Sequence, residues 1–258
     1  MLVVVVVRFF FLAGGPGGGV PTGRTTLLLL PATSPGPEPF GPDVAVGPRP
    51  TKASTALLSA LPKRGPRGDQ VGLYGGVRGR SSCNVQQLAT YFAQNPGPGQ
   101  AWADAENISY NDVPAFLTRL TPALLRVDAR LTSYSYDGRP APQQAVLETG
   151  TAVLVDPLGI PRARCNGGNP LAPALATRSR PVYSGERWSG FNQKDLFFVA
   201  LAPQPLTKLV LIDVTTNKPF VRPLETEGRA DADYSGATSP TPSTTASPRT
   251  RTPTTARK

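Results

Sequence analysis

The sequence predicts an α+β domain in which short N-terminal helices precede a largely antiparallel sheet, with disordered segments at both ends. Three observations carry this. Apolar residues recur at helical spacing between Asn84 and Leu120, an alternation of period two takes over from Leu124, and the composition of both termini opposes a packed core. Between Gly14 and Pro50 about half of all positions are Gly or Pro, and Ser235 to Lys258 is two-thirds Ser, Thr and Pro. Neither stretch offers enough apolar surface to offset the entropy of ordering it. The 258 residues therefore divide into an apolar segment at 1–13, a Pro/Gly-rich linker at 14–54, one self-sufficient domain at 55–229 and a disordered basic tail at 230–258.

Met1 to Ala13 is apolar except for Arg8. A membrane-spanning helix needs about 20 residues, and a signal peptide carries its charge before the apolar run rather than inside it. The segment reads as a signal or a truncated membrane helix, with a plain hydrophobic strand as the alternative. The Gly-rich run that follows, Gly14 to Gly19, suits a tether. Thr25 to Leu30, β-branched and aliphatic and ended by Pro31, predicts a strand within the linker that joins the main sheet.

The first helix begins at Asn84, whose side chain caps free amides while Gln87 reaches back. Val85, Leu88, Ala89 and Phe92 form its apolar stripe, and Asn95-Pro96-Gly97 stops it. Pro98 suits the first turn of a second helix through Trp102. A third starts at Ser109, with Asp112 completing a capping box, Ile108 and Val113 as a staple, and Val113, Phe116, Leu117 and Leu120 as the buried stripe. Pro114 breaks it into two pieces.

From Leu124 the chain reads as a half-buried strand, with Leu125, Val127, Ala129 and Leu131 facing one way and Arg126, Asp128, Arg130 and Thr132 the other. Gly150 to Val155, the turn Asp156-Pro-Leu-Gly159 and Arg162 to Cys165 form a β-hairpin. Leu196 to Leu201 and Lys208 to Val214 are further strands, and a turn at Thr216 to Lys218 leads into Phe220-Val221-Arg222.

The formal charge of +10 does not identify a nucleic-acid binder. Arg249, Arg251, Arg257 and Lys258 lie in the tail, and the remaining cations are scattered, without a basic run or interleaved aromatics. Arginine outnumbers lysine 21 to 6, which fits the codon bias of a GC-rich genome. Adhesion of the tail to an anionic envelope polymer or lipid surface is the other reading.

Cys83 and Cys165 are the only cysteines. They stand at element boundaries, where a disulfide is easily accommodated, though two cysteines in a long chain are equally compatible with buried thiols. If bonded, they close a loop of about 82 residues in an exported domain.

The chain contains no histidine, so neither cysteine has an imidazole base. Nucleophile-elbow, Ser-x-x-Lys, phosphate-loop, dinucleotide and calcium-loop patterns are missing as well, and no cofactor or metal is expected. Asp128, Asp137, Glu148 and Asp156 are the acids from which a two-carboxylate hydrolase could be built. Leu73-Tyr-Gly-Gly76 and Cys165-Asn-Gly-Gly-Asn-Pro170 are turn-rich; their functional reading is a rim of exposed amides around Tyr74, Asn166 and Asn169. Arg126 and Arg130 read as an anion site or as a self-neutralised wet face shared with Asp128.

Gly72-Leu-Tyr-Gly-Gly76, Leu120-Thr-Pro-Ala-Leu-Leu-Arg126, Gly150-Thr-Ala-Val-Leu-Val155 and Arg164-Cys-Asn-Gly-Gly-Asn-Pro-Leu171 occur in this order. Over about Thr25 to Pro223 the chain resembles an actinobacterial domain of unknown function. In that family the domain follows a single membrane helix and a Pro/Gly-rich linker in exported proteins, some with a cytoplasmic kinase-like region. The resemblance implies an extracytoplasmic location and supplies no activity. Many relatives carry a second cysteine two residues after the match to Cys165, where this chain has Gly167.

The functional expectation is a non-enzymatic module of the cell envelope, membrane-tethered or secreted, that binds an envelope component or partner protein, with membrane association through its N-terminus. A structural envelope spacer and a carboxylate hydrolase are the alternatives. A pocket of about 300 Å³ or more with aromatic lining separates binding from spacing. Two facing carboxylates about 5 to 9 Å apart in a cleft mark the hydrolase.

Overall fold

The computed structural model describes residues 25–50, 54–62, 65–176 and 180–236. The apolar segment at 1–13 and the tail beyond 236 lie outside the described residues. Among those described, the strands are β1 (Thr26–Leu30), β2 (Tyr74–Gly76), β3 (Thr121–Leu125), β4 (Asp128–Tyr136), β5 (Pro140–Leu147), β6 (Ala152–Val155), β7 (Pro161–Arg164), β8 (Leu171–Pro173), β9 (Val182–Ser184), β10 (Leu196–Phe198), β11 (Lys208–Asp213), β12 (Pro219–Pro223) and β13 (Ala232–Asp233). The helices are α1 (Thr55–Ala60), α2 (Val85–Gln94), α3 (Pro96–Glu106) and α4 (Val113–Thr118).

The strands form two sheets, ordered β10-β4-β5-β1-β9 with β8 also on β4, and β13-β12-β11-β2-β3-β6-β7. Leu30, Ala129, Leu131, Ala145 and Leu147 of the first sheet pack against Tyr74, Ala123, Leu125, Val153, Val155 and Leu211 of the second. The other face of the second sheet, with Leu124, Ala152, Leu154 and Ala163, is covered by Leu88 and Phe92 of α2, Trp102 of α3 and Leu117 of α4. The fold is thus three layers, sheet on sheet on helices, each apolar face buried by the next.

The helices follow their local signals. Asn84 Oδ1 accepts from the Gln87 amide at 3.0 Å, and Val85, Leu88, Ala89 and Phe92 are the buried residues of α2. The second helix starts earlier than Pro98, because Pro96 already supplies a first-turn proline, and it ends on Asn107 at φ 56°. Ser109 makes no side-chain cap; a 3₁₀ turn at Tyr110–Asp112 precedes α4, with Pro114 in its first turn.

Strands dominate, so the helices-first order is not what the chain adopts: β1 and β2 precede α2. Among the described residues most seams are antiparallel, as expected, but four are parallel. β1 runs parallel to both β5 and β9, β10 parallel to β4, and β11 parallel to β2. These partners arrive from distant parts of the chain, whereas the antiparallel pairs β4–β5, β6–β7 and β11–β12 are sequential hairpins.

The alternation from Leu125 to Leu131 is observed, with Leu125, Val127, Ala129 and Leu131 all in the inter-sheet core. It spans two strands, because the chain leaves the second sheet after Leu125 and enters the first at Asp128. The return path crosses between Leu147 and Ala152, and Asp128 stitches the two crossings. Its Oδ1 accepts from the Thr149 amide at 2.8 Å and hydroxyl at 2.9 Å. The opposite face is not wet: Asp128, Arg130 and Thr132 are 8%, 7% and 5% exposed.

The predicted linker is largely part of the fold. Besides β1, the segment 31–50 buries Ala32, Phe40 and Val44. It runs as a strap whose backbone bonds to both cysteine-bearing segments: Gly41 to Gly167 and Val44 to Cys165 on one side, Val46 to Ser82 and Asn84 to Val44 on the other. Composition counts side chains only, whereas this segment is held mostly by main-chain hydrogen bonds. Cys83 and Cys165, both fully buried, are disulfide-bonded across the strap with Cα atoms 5.9 Å apart.

Replacing both cysteines by serine is expected to cost about 2 to 5 kcal/mol in urea unfolding, and reductant should reproduce the loss in the wild type. Protein from its native compartment should label with thiol reagents only after reduction and unfolding.

Candidate functional site

The residues singled out in the sequence do not converge. Tyr74 is buried in β2, and its hydroxyl donates to the Gly159 carbonyl at 2.7 Å. Burial pushes that phenol well above its usual pKa, and Tyr74 serves to tie β2 to the β6–β7 turn. Arg126 sits at the crossing between sheets and donates through Nη1 to Gly72 O at 3.0 Å. Arg130 faces the outer side of the first sheet, with its guanidinium 4.4 Å from the centre of the Phe198 ring.

Asn166 and Asn169 do not form an exposed rim, being 0% and 2% exposed. Asn166 Nδ2 donates to Asp43 Oδ2 at 2.9 Å and Asn169 Nδ2 to Tyr134 O at 2.7 Å, while Trp102 Nε1 donates to Gly168 O at 3.0 Å. Gly167 and Gly168, at φ 80° and 64°, let the turn fold back beneath the strap. The motif fastens layers together.

The four acids are also dispersed. Asp137 lies in the exposed β4–β5 turn. Asp128 and Glu148 share the crossing, but each is held by hydrogen bonds: Asp128 by Thr149 and by Trp188 Nε1 at 3.0 Å, Glu148 by the Ala32 amide at 2.8 Å. Asp156 Oδ1 closes the hairpin turn by accepting from the Leu158 and Ile160 amides at 2.8 and 2.9 Å.

Beside that turn lies a pocket of about 410 Å³, lined by Phe116, Leu120, Pro157, Leu158 and Pro205, with Arg119, Arg162, Asp156 and Glu225 completing it. Each wall has a local cause. The end of α4 supplies Phe116, whose ring meets buried Trp102 edge-on at 5.7 Å. The Asp156-closed turn projects Pro157 and Leu158, and the start of β7 supplies Arg162.

Behind Arg162 lies Glu106, from the last turn of α3, with a side chain only 1% exposed. Arg162 donates to Glu106 Oε2 through Nε at 3.0 Å and also through Nη2, and its Nη1 stands 3.9 Å from Asp156 Oδ2. Burial pushes the Glu106 carboxyl up to about 7, against the opposing pull of Arg162. The pocket therefore presents an apolar wall and a rim of both charge signs, and Arg162 holds the protonatable acid out of direct reach. The Asp156 turn, the Phe116 and Leu120 stripe and the strand at Arg162 each carry a local signal in the sequence, but they come from separate segments and share no spacing that joins them into one site.

Because folding raises the Glu106 pKa, the native state binds more protons than the unfolded chain between about 4.5 and about 7. The stabilisation is complete below that window and is lost as pH rises through it, by on the order of 3 kcal/mol. Urea midpoints from about pH 4.5 to about pH 8 are expected to show the decline shrink by this amount in Glu106→Gln. The residual slope comes from Asp128, Glu148 and Asp156, which burial also raises. An unaltered slope would place the proton elsewhere.

No match was found among curated proteins or among solved structures. A family model described as a domain of unknown function, DUF6777, matches residues 64–225, more than half of the chain and the greater part of both sheets and all three covering helices. The chain belongs to the DUF6777 family.

Proposed function

We propose that this domain is a non-enzymatic binding module of an actinobacterial cell envelope, working outside the membrane either tethered or released. The pocket beside the β6–β7 turn receives an envelope component or partner protein. The observation that carries this reading is the pocket itself, about 410 Å³ with Phe116, Leu120 and Leu158 on its wall, within the size range of ligand sites. A spacer needs no such concavity.

The disulfide suits an oxidising, extracytoplasmic setting. Among the described residues no helix is long and apolar enough to cross a membrane; an N-terminal tether would use the segment at 1–13. The buried position of Glu106 behind Arg162 speaks for binding rather than hydrolysis. The wall selects a ligand bearing one apolar group, and the rim adds oriented contacts from Arg119, Arg162 and Glu225.

Nuclear magnetic resonance titration with soluble cell-wall fragments, and with short peptides carrying one leucine or phenylalanine, tests the reading. Saturable shifts centred on Phe116, Leu120 and Leu158 are expected. Leu158→Trp, which fills the pocket, should weaken binding at least about tenfold without unfolding the domain. Binding that Leu158→Trp leaves intact, or no saturable shift with any of these probes, overturns it.

A further inference from the structure

We propose that Arg130 anchors a second site, independent of the pocket, that takes the carboxylate or phosphate group of a small ligand beneath residues 185–192. Arg130 projects from β4 toward the outer face of the first sheet and is 7% exposed. Its Nε and Nη2 are buried without a hydrogen-bond partner. No ion pair includes it among the described residues. Asp128, two positions back on the same face, has committed Oδ1 to Thr149 and Oδ2 to Trp188.

The same chain shows what such an edge holds. The Nε–Nη2 side of Arg67 grips Asp69 at 2.9 and 3.1 Å, and that of Arg222 grips Asp231 at 2.9 and 2.7 Å. Arg162 turns the same side toward Glu106. Arg130 presents this two-donor fork, matched to a planar carboxylate or a phosphate, with no oxyanion in it. Arg164 also has unpaired nitrogens, but its Nη2 donates to Pro35 O and Asp43 acts on it electrostatically.

Two aromatic side chains act on Arg130, and two more pack on the neighbouring part of this face. Phe198 lies under the guanidinium, and the Tyr183 phenol acts on it from β9. Trp188 and Phe191, with rings 5.2 Å apart, help cover this face, and Tyr183 meets Phe191 at 5.3 Å. The Trp188–Asp128 hydrogen bond at 3.0 Å latches this cover. Gly185 at φ 91° lies at one end of the segment, and at Gly190 a side chain would meet open space. A ligand reaches Arg130 when the latch opens, and its oxyanion then neutralises a cation that the protein leaves uncompensated.

The test follows the Arg130 Nε–Hε resonance in the full chain titrated with sodium acetate or sodium phosphate, against sodium chloride at equal ionic strength. A saturable one-site shift with acetate, phosphate or both, accompanied by a change in Trp188 fluorescence, is expected. Response to acetate alone assigns the site to carboxylates, and response to phosphate alone to phosphorylated ligands. In Arg130→Lys, which lacks the Arg130 Nε–Hε resonance, the response is followed by Trp188 fluorescence and should weaken at least about tenfold. Trp188→Phe, which removes the latch while keeping Arg130, should tighten it several-fold. No saturable shift beyond chloride, or an unchanged titration in Arg130→Lys, overturns the proposal. Unchanged affinity in Trp188→Phe overturns the latch.

Discussion

The disulfide between Cys83 and Cys165 fixes more than two residues, because the strap around Val44 passes between the segments it joins. Cys83 precedes the helix that covers the second sheet, and Cys165 ends the β6–β7 hairpin on that sheet. With the strap bonded to both, helical layer, hairpin and N-terminal segment share one buried junction. Phe40 and Val44 then pack into the helix–sheet core, which a Pro/Gly-rich chain would not enter on its apolar content alone.

A second constraint is the price in free energy of buried charge, and the fold meets it unevenly. Arg222 is fully buried yet bonds Asp231 and the carbonyls of Val77, Arg80 and Pro122. Asp231 thereby pins the approach to β13, and the pair closes one end of the second sheet. Glu106 and Arg162 are matched less evenly, since the acid lies deeper than its partner. Arg130 has only an aromatic ring and a neighbouring phenol. Compensation is complete at Arg222, where strands must be joined, and incomplete at Glu106 and Arg130, on the two faces proposed for ligands, and at Arg164 of β7.

What the sequence displays is the local part of this order. The cap at Asn84 and the stripe Val85, Leu88, Ala89 and Phe92 specify α2 because every partner lies within a few residues, and the turn Asp156 to Gly159 specifies its hairpin likewise. The outward face of β4 misleads: Asp128, Arg130 and Thr132 have the polarity of a wet surface, and the cover comes from residues about sixty positions away. The strap misleads in the opposite sense, because main-chain bonds leave no mark in composition. The pocket is invisible for a third reason, since α4, the hairpin turn, Pro205 and Glu225 meet only after both sheets have formed.

β1 occupies an interior place in its sheet, between β5 and β9, although it precedes the stretch that defines the family. A fragment beginning where that stretch begins would leave β5 with a bare row of amides and carbonyls alongside Val146, and β9 with nothing to pair on. Such a bare rim is a template for any incoming strand of suitable polarity. The strand whose side chains fit that rim in register is β1 itself, so the sheet depends on a segment that the family stretch does not contain.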